Sequence, residues 1–350
     1  MQPLHVSPES SIPPKTVLLT LDSRGYGGIE THISHLAPGL QAHGVNVILA
    51  LLADYGAHPL EKQLSASGVP TVKLKRGLRE LIDLLKSTSA DVLHTHGYKA
   101  GVMGRLAGAA TGAPCVSTFH NGDRGAGKLR LYTLIDKLSA CLSTNICVSR
   151  DIQQRLRPWA SELVNNFIDA PELDLPWENE QKRVLFVGRL EKEKGPSLFL
   201  DIAARLPETE FHMYGSGSLE STLRAHAPDN LTLHGSEPDQ QKIWRNADVL
   251  LITSNTEGLP YAALEAMSRG VAVFSTAVGD LPQLIDHGEN GFICAGAADA
   301  FANAIERWRL QTPYERRCLR IAAANRVARQ YSATACIPKL LSIYEKACAV

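Results

Sequence analysis

Short, almost unbroken apolar runs recur along the chain, each followed by a longer stretch with helical periodicity. This alternation limits the fold more than any other feature of the sequence. Thr16 to Leu21 reads TVLLTL and Val249 to Thr253 reads VLLIT. Runs this short, without polar alternation, suit parallel strands buried on both faces. The pattern predicts strands at 16–21, 45–52, 69–74, 91–96, 114–119 and 144–148. Helices fall between them, after Gly28 and at 59–67, 77–87, 99–112, 127–142 and 149–156. In the first helix Ile29, Ile33, Leu36, Ala37 and Leu40 share one face, Pro38 predicts a kink and Gly44 a stop.

The alternation then breaks at NNFIDAPELDLPWENEQ, residues 165–181, which carries two prolines and five acids. It resumes with strands at 183–188, 209–214, 230–234, 248–253, 271–276 and 291–294. The intervening helices are predicted at 195–205, 218–226, 239–246, 260–269 and 281–286, and three more at 298–310, 313–330 and 333–348. Strand and helix in turn is the signature of a doubly wound parallel sheet, so the class is α/β with two such sheets. The expected division is a tail at 1–15, a first domain at 16–165, a linker at 166–181, a second domain at 182–330 and a terminal segment at 331–350. Ligands of such sheets bind beyond the carboxyl ends of the strands, and two halves would face a central cleft.

Composition excludes several classes. Lys plus Arg (36) equals Asp plus Glu (36), so no bulk charge draws the chain to nucleic acid. The N-terminus MQPLHVSPESSIPPK has no apolar core of a signal peptide, and no run reaches the length of a membrane span. Seven scattered cysteines without a CxxC pair predict reduced thiols in a cytoplasmic protein.

The stretch SNTEGLPYAALEA, residues 254–266, is the richest in chemistry. Glu257 follows a strand, Gly258 permits a sharp turn, and Pro260 suits the first position of a helix. Glu265 lies about 7.5 Å further along at 1.5 Å per residue. A helix N-terminus between two carboxylates could hold a phosphate and sugar hydroxyls together. Arg189 and Lys194, in VGRLEKEKG after Gly188, offer a planar fork and a mobile point charge to a diphosphate, or form a solvated turn. Gly27 and Gly28 precede a helix and could admit phosphate to the backbone, or be a bare turn. Gly215 and Gly217 end a later strand in the same way.

His94, His96 and His120 gather at strand ends of the first half. No second pair of metal-ligand spacing accompanies them, so no metal is expected, and they divide between structural and substrate-contacting histidines. Two basic segments, Lys73 to Arg76 with Arg79, and Arg124 with Lys128, Arg130 and Lys137, border apolar residues. They suit ordinary solvated helix faces, which is the favoured reading, or peripheral docking on a membrane surface.

Together, GGIETH, STFHNGD, VGRLEKEKG, YGSGSLE, NADVLLITSNTEGLPYAALEAMSRG and VGDLPQLIDHGENGFI resemble, in order and spacing, the retaining glycosyltransferases of family 4 with the GT-B fold. The resemblance runs from about Thr16 to Tyr344. It implies transfer of a hexosyl group from a UDP-, GDP- or ADP-sugar to a glycan or lipid-linked acceptor, without a metal or other cofactor, in cell-envelope polysaccharide or glycolipid synthesis. By resemblance, Glu257 contacts the donor sugar, Glu265 the ribose, and Arg189 with Lys194 the diphosphate. His120 would lie beside the reacting sugar. Gly27, Gly28, Gly188, Gly215, Gly217, Gly258, Leu259 and Tyr261 would complete the donor site, and the segment from about 331 would return to the first domain. The sequence departs from the family at Asn165 and Ala272, where proline is common, at Asp280, where a second glycine is common, and at Gln283, where glutamate is usual. Three other readings carry less weight. A glycosidase would have no use for the phosphate clamp; a nucleotide-sugar epimerase fits the motifs less well; a silent sugar-nucleotide-binding protein would not need the full set of charged groups.

Overall fold

The computed structural model describes residues 14–75, 77–120, 128–171, 173, 183–237 and 239–349. Most of the expected tail, Arg76, Arg124 with the rest of 121–127, and most of the linker after Glu172 lie outside them. The chain divides into two compact units. Residues up to Cys147, Gln153–Val164 and Cys336–Val350 form the first; Val148–Ile152 and Asn165–Ala335 form the second.

The first unit holds strands β1 (Thr16–Leu21), β2 (Asn46–Leu51), β3 (Thr71–Lys73), β4 (Val92–His96), β5 (Cys115–Phe119), β6 (Thr144–Cys147) and β7 (Glu162–Leu163). Its helices are α1 (Gly28–Ala42), α2 (Pro59–Ala66), α3 (Leu78–Thr88), α4 (Tyr98–Thr111) and α5 (Lys128–Leu138), with α6 (Arg150–Leu156) running across the boundary. The sheet is wholly parallel in the order β3-β2-β1-β4-β5-β6-β7. Helix α1 continues through Pro38. The helix expected at 127–142 tightens to a 3-10 turn at Ser139–Leu142.

The second unit holds β8 (Arg183–Val187), β9 (Glu210–Tyr214), β10 (Leu231–Gly235), β11 (Ala247–Ile252), β12 (Ala272–Thr276) and β13 (Phe292–Cys294). Between and after them come α7 (Pro196–Arg205), α8 (Glu220–Ala225), α9 (Gln240–Trp244), α10 (Tyr261–Ser268), α11 (Leu281–Leu284), α12 (Ala298–Leu310) and α13 (Pro313–Gln330), while α14 (Ala333–Cys348) starts here and belongs to the first unit from Cys336 on. The parallel order is β10-β9-β8-β11-β12-β13.

Period-two burial on both faces explains why these strands carry unbroken apolar sequence. Val184, Phe186, Val249, Leu251, Ala272 and Phe274 pack with Phe199, Phe301 and Trp308 of α7 and α12. Their neighbours Leu185, Leu250, Ile252 and Val273 pack with Leu264 and Met267 of α10 and Val327 of α13. In the first unit Leu18, Ala50 and Leu93 pack with Leu81, Leu85 and Ala107 of α3 and α4.

The unit boundaries differ from the sequence expectation because short segments hydrogen-bond across the predicted limits. Ile168 N–H donates to Tyr331 O at 3.0 Å and pairs with Ser332, so the first part of the expected linker belongs to the second unit. Within the first unit the Tyr344 hydroxyl of α14 lies 2.7 Å from His94 Nδ1. No disulfide joins the cysteines among the described residues. No helix there is long and apolar enough to cross a membrane.

Candidate active site

Each sheet reverses its winding once, between β1 and β4 in the first unit and between β8 and β11 in the second. The carboxyl ends of strands at such a switch point are where open α/β sheets present groups to ligands.

In the second unit Arg189 and Lys194 follow β8, while Ser254 and Glu257 follow β11. Lys194 Nζ donates to both Glu257 oxygens at 2.7 Å, and Ser254 Oγ donates to Oε1 at 2.7 Å. The Glu257 side chain keeps only 7% exposure and Lys194 22%, so both ions have lost much of their water and lean on each other. Arg189 is held apart from this pair. Its guanidinium is 71% exposed and pairs with Glu193 at 2.7 Å. Sequence reasoning linked Lys194 to Arg189 but missed its bond to Glu257 and the part of Ser254.

Glu265, on α10, accepts a 3.3 Å hydrogen bond from Trp244 Nε1. Burial pushes its carboxyl up to about 7, against the opposing pull of Arg269 and of that hydrogen bond. Neither Trp244 nor Arg269 was singled out from sequence. Pro260 is not the first helical residue as expected. It caps the helix with extended backbone at φ −72° and ψ 135°, and α10 starts at Tyr261.

The glycines of this unit serve its own backbone. Gly188 N–H donates to Tyr214 O at 3.0 Å. A Cβ on Gly215, at φ +141°, would stand 1.8 Å from Gly188 O, and one on Gly217 would stand 2.5 Å from Leu190 O. Gly258 is less constrained, its nearest contact being Ser149 Oγ at 3.8 Å. Leu259 is buried at 2% exposure, and its carbonyl accepts from Asn166 Nδ2 at 2.9 Å. The Tyr261 hydroxyl donates to Asn166 Oδ1 at 3.2 Å.

Two departures from the family pattern answer each other. Asn165 Nδ2 donates to Asp280 Oδ2 at 3.0 Å, and Asp280 also accepts from the Arg150 amide at 3.2 and 3.3 Å. Gly279 keeps a left-handed φ of +57°, where a Cβ would stand 2.2 Å from Gly258 O. The loop therefore retains the one glycine its packing demands.

In the first unit His96 Nδ1 lies 3.0 Å from His120 Nε2. His32, from the first turns of α1, completes a trio, its ring 4.8 Å from that of His120 and 5.4 Å from that of His96. One nitrogen from each of the three lies within 4.8 Å of the others. The search for a second His pair by spacing missed His32, which comes from a separate helix. Burial, and then the neighbouring histidines, hold His96 and His120 well below the usual imidazole range, so the rings are neutral at pH 7. His94 is structural, hydrogen-bonded with Thr118 Oγ1 and Tyr344 at 2.7 Å each. The Gly27 amide donates to Glu30 Oε2 at 2.8 Å. A Cβ on Gly28 would meet no atom within 4 Å among the described residues.

Two family models match consecutive stretches of the chain. Glycosyltransferase Family 4 covers residues 26–170, and Glycosyl transferases group 1 covers residues 172–325. The chain belongs to glycosyltransferase family 4. Among its relatives is the UDP-Gal:alpha-D-GlcNAc-diphosphoundecaprenol alpha-1,3-galactosyltransferase of Escherichia coli, 28% identical over 73% of this chain and 76% of that protein. Another is the D-inositol 3-phosphate glycosyltransferase of an Arthrobacter species, 25% identical over 80% and 81%. Anabaena HepE, solved with UDP-glucose, superposes with a TM-score of 0.80 at 18% identity over 96% of this chain and all of that one. At that identity the likeness establishes the fold, two Rossmann-like units of the GT-B class.

Proposed function

We propose that this glycosyltransferase moves a hexosyl group from a UDP- or GDP-sugar to a glycan or lipid-linked acceptor, with retention at the anomeric carbon. The acceptor reading draws support from the Escherichia coli relative, whose name specifies a diphosphoundecaprenol acceptor. The proposed setting is cell-envelope polysaccharide or glycolipid synthesis in the cytoplasm.

The observation that carries this reading is the Lys194–Glu257 pair at the switch point of the second sheet. A donor entering there would offer the two ions new partners in place of each other. Its diphosphate would draw the Lys194 ammonium, with Arg189 leaving its exposed pair with Glu193 to join it. Its sugar hydroxyls would donate to Glu257, which Ser254 already orients. As the bond from C1 to the phosphate oxygen lengthens, negative charge grows on the diphosphate, and a fixed cation there favours the transition state over the ground state. Glu265 would receive the ribose hydroxyls, most strongly in its ionised form, where both oxygens accept.

Attack from the same face would place the acceptor hydroxyl beside the departing phosphate. The acceptor oxygen bonds to C1, the phosphate oxygen leaves with its electron pair, and it takes the acceptor's proton. His120, neutral, would hydrogen-bond the reacting sugar without adding charge. No metal is assigned. The short His96–His120 contact is a hydrogen bond between two ring nitrogens, as expected of rings sharing a proton.

The test is release of nucleoside diphosphate from a panel of nucleotide sugars, with and without cell lipid extract and with and without chelator. Acceptor-dependent release unaffected by chelator is expected. Turnover that ignores every acceptor would favour an epimerase, and binding without turnover a silent module. Loss of activity on chelation would show a metal requirement, with the trio His32, His96 and His120 as its candidate site.

A further inference from the structure

Helix α5 is amphipathic the wrong way round for a globular protein. Leu131, Leu134, Ile135 and Leu138 recur at the three- and four-residue spacing that ordinarily turns a stripe toward the core. Here they are 57%, 52%, 40% and 60% exposed, and Leu142 of the following 3-10 turn extends the stripe at 49%. Tyr132 adds 52% exposure beside them, stacked on Tyr98 at 6.1 Å. Six of the twelve large hydrophobics exposed among the described residues fall within residues 131–142, so this is a patch and not scattered surface.

The inward face is the polar one. Asp136 is buried and accepts from Arg105 Nη1 at 2.7 Å. The same guanidinium also donates to Asp136 O, Ser139 Oγ and Ser143 Oγ at 2.8 to 2.9 Å. This network fixes the rotation of the helix, so the apolar stripe cannot turn inward without stranding a buried arginine and its carboxylate.

Charge selects the occupant. The sole acid of α5 is Asp136, already neutralised by Arg105, while Lys128, Arg130 and Lys137 are all basic. Arg130 is exposed and Lys137 partly so, seven residues apart and therefore on one flank of the stripe. Apolar side chains edged by cations match an anionic lipid surface, where the stripe enters the acyl boundary and the cations meet phosphate. A second copy pairing through the same face would set these cations against each other. The other basic segment behaves differently. Lys73 is taken up by Glu61 at 2.7 Å and Asp54 at 3.7 Å, Leu81 and Leu85 of α3 are buried, and Leu78, Ile82 and Leu84 pack partly buried against the same core. That segment is a solvated surface.

We propose that α5 and its 3-10 extension dock the first unit onto an anionic membrane. The proposal does not depend on the donor or the acceptor, because it concerns binding alone. The experiment is co-sedimentation of the full chain with phosphatidylcholine vesicles, with and without phosphatidylglycerol. Binding that needs phosphatidylglycerol and weakens with salt is expected. Leu134→Ser with Leu138→Ser, and separately Arg130→Glu with Lys137→Glu, should each lower the partition coefficient about tenfold or more. Thermal melting of both variants should match the parent, since the changed side chains lie at the surface. The proposal is overturned if the parent ignores phosphatidylglycerol vesicles, or if the leucine variant binds them as well as the parent does. It is also overturned if the parent self-associates and the leucine variant alone becomes monomeric.

Discussion

Glycine turns stand at strand ends in both units, and in the sequence they look alike. In the first unit Gly28 opens onto space, whereas in the second Gly215, Gly217 and Gly279 each face a main-chain carbonyl at 2.5 Å or closer from where a Cβ would be. The polar groups divide in the same way. The first unit gathers neutral, dehydrated imidazoles; the second gathers fixed charges, Lys194 against Glu257 with Arg189 outside. One sequence motif thus has two physical causes. At Gly215, Gly217 and Gly279 a glycine is needed because protein is already there, while at Gly28 no described residue demands one.

Substitution at the glycines gives the largest contrast. Gly215→Ala should lose about 3 kcal/mol or more of stability, since it combines a left-handed backbone with an unavoidable clash. Gly28→Ala should stay within about 0.5 kcal/mol of the parent in urea melts, yet weaken donor binding measured by calorimetry. Equal stability losses at both positions would erase the distinction.

Next come the charged groups. Lys194→Ala and Glu265→Ala should each lower kcat/KM at least tenfold, about 1.4 kcal/mol of transition-state stabilisation. Lys194→Ala should also cost stability, because Glu257 would remain buried with only Ser254 beside it. Near-parental rates from both variants would remove the second unit from the chemistry.

The last effect is on pH, and its sign separates Glu265 from the His96 and His120 pair. Glu265 sits near 7 in the folded protein against an ordinary 4.5, so between those values the folded state holds the extra proton. Stability from this group therefore falls as pH rises through about 4.5 to 7, by at most about 3 kcal/mol. The imidazoles of His96 and His120 are depressed below 6.5, so the unfolded state holds the extra protons and stability falls as pH drops below 6.5. Glu265→Gln should abolish the first slope and leave the second, as read from urea melts across pH. A variant that changed neither slope would show that Glu265 titrates normally.

Much of this was legible because strand burial leaves a direct mark on sequence. TVLLTL and VLLIT announced β1 and β11 within a residue or two, and the doubly wound order followed from strict alternation. The two-residue strand β7 escaped, since two residues carry no period. The residues proposed for the donor were picked out through family motifs, but their partners in the fold were not. Nothing local in the chain says that Lys194 will meet Glu257, sixty-three positions away, or that Asn165 will satisfy Asp280. Helix α5 shows the limit in another form. Its periodicity was plain, yet which face turns inward was decided by Arg105, from a different helix.

The interleaving of the two units has a consequence for how this protein can be taken apart. The second unit includes Val148–Ile152, whose Arg150 amide binds Asp280, and the first includes Cys336–Val350, whose Tyr344 meets the buried His94. A gene split or a proteolytic nick in the acidic stretch after Ile168 would therefore release neither unit intact. The leading fragment would want the last fifteen residues, and the trailing fragment would want five residues from upstream. Exchange of one unit between relatives has to carry both small inserts with it, which makes this chain far less modular than its two-sheet pattern suggests.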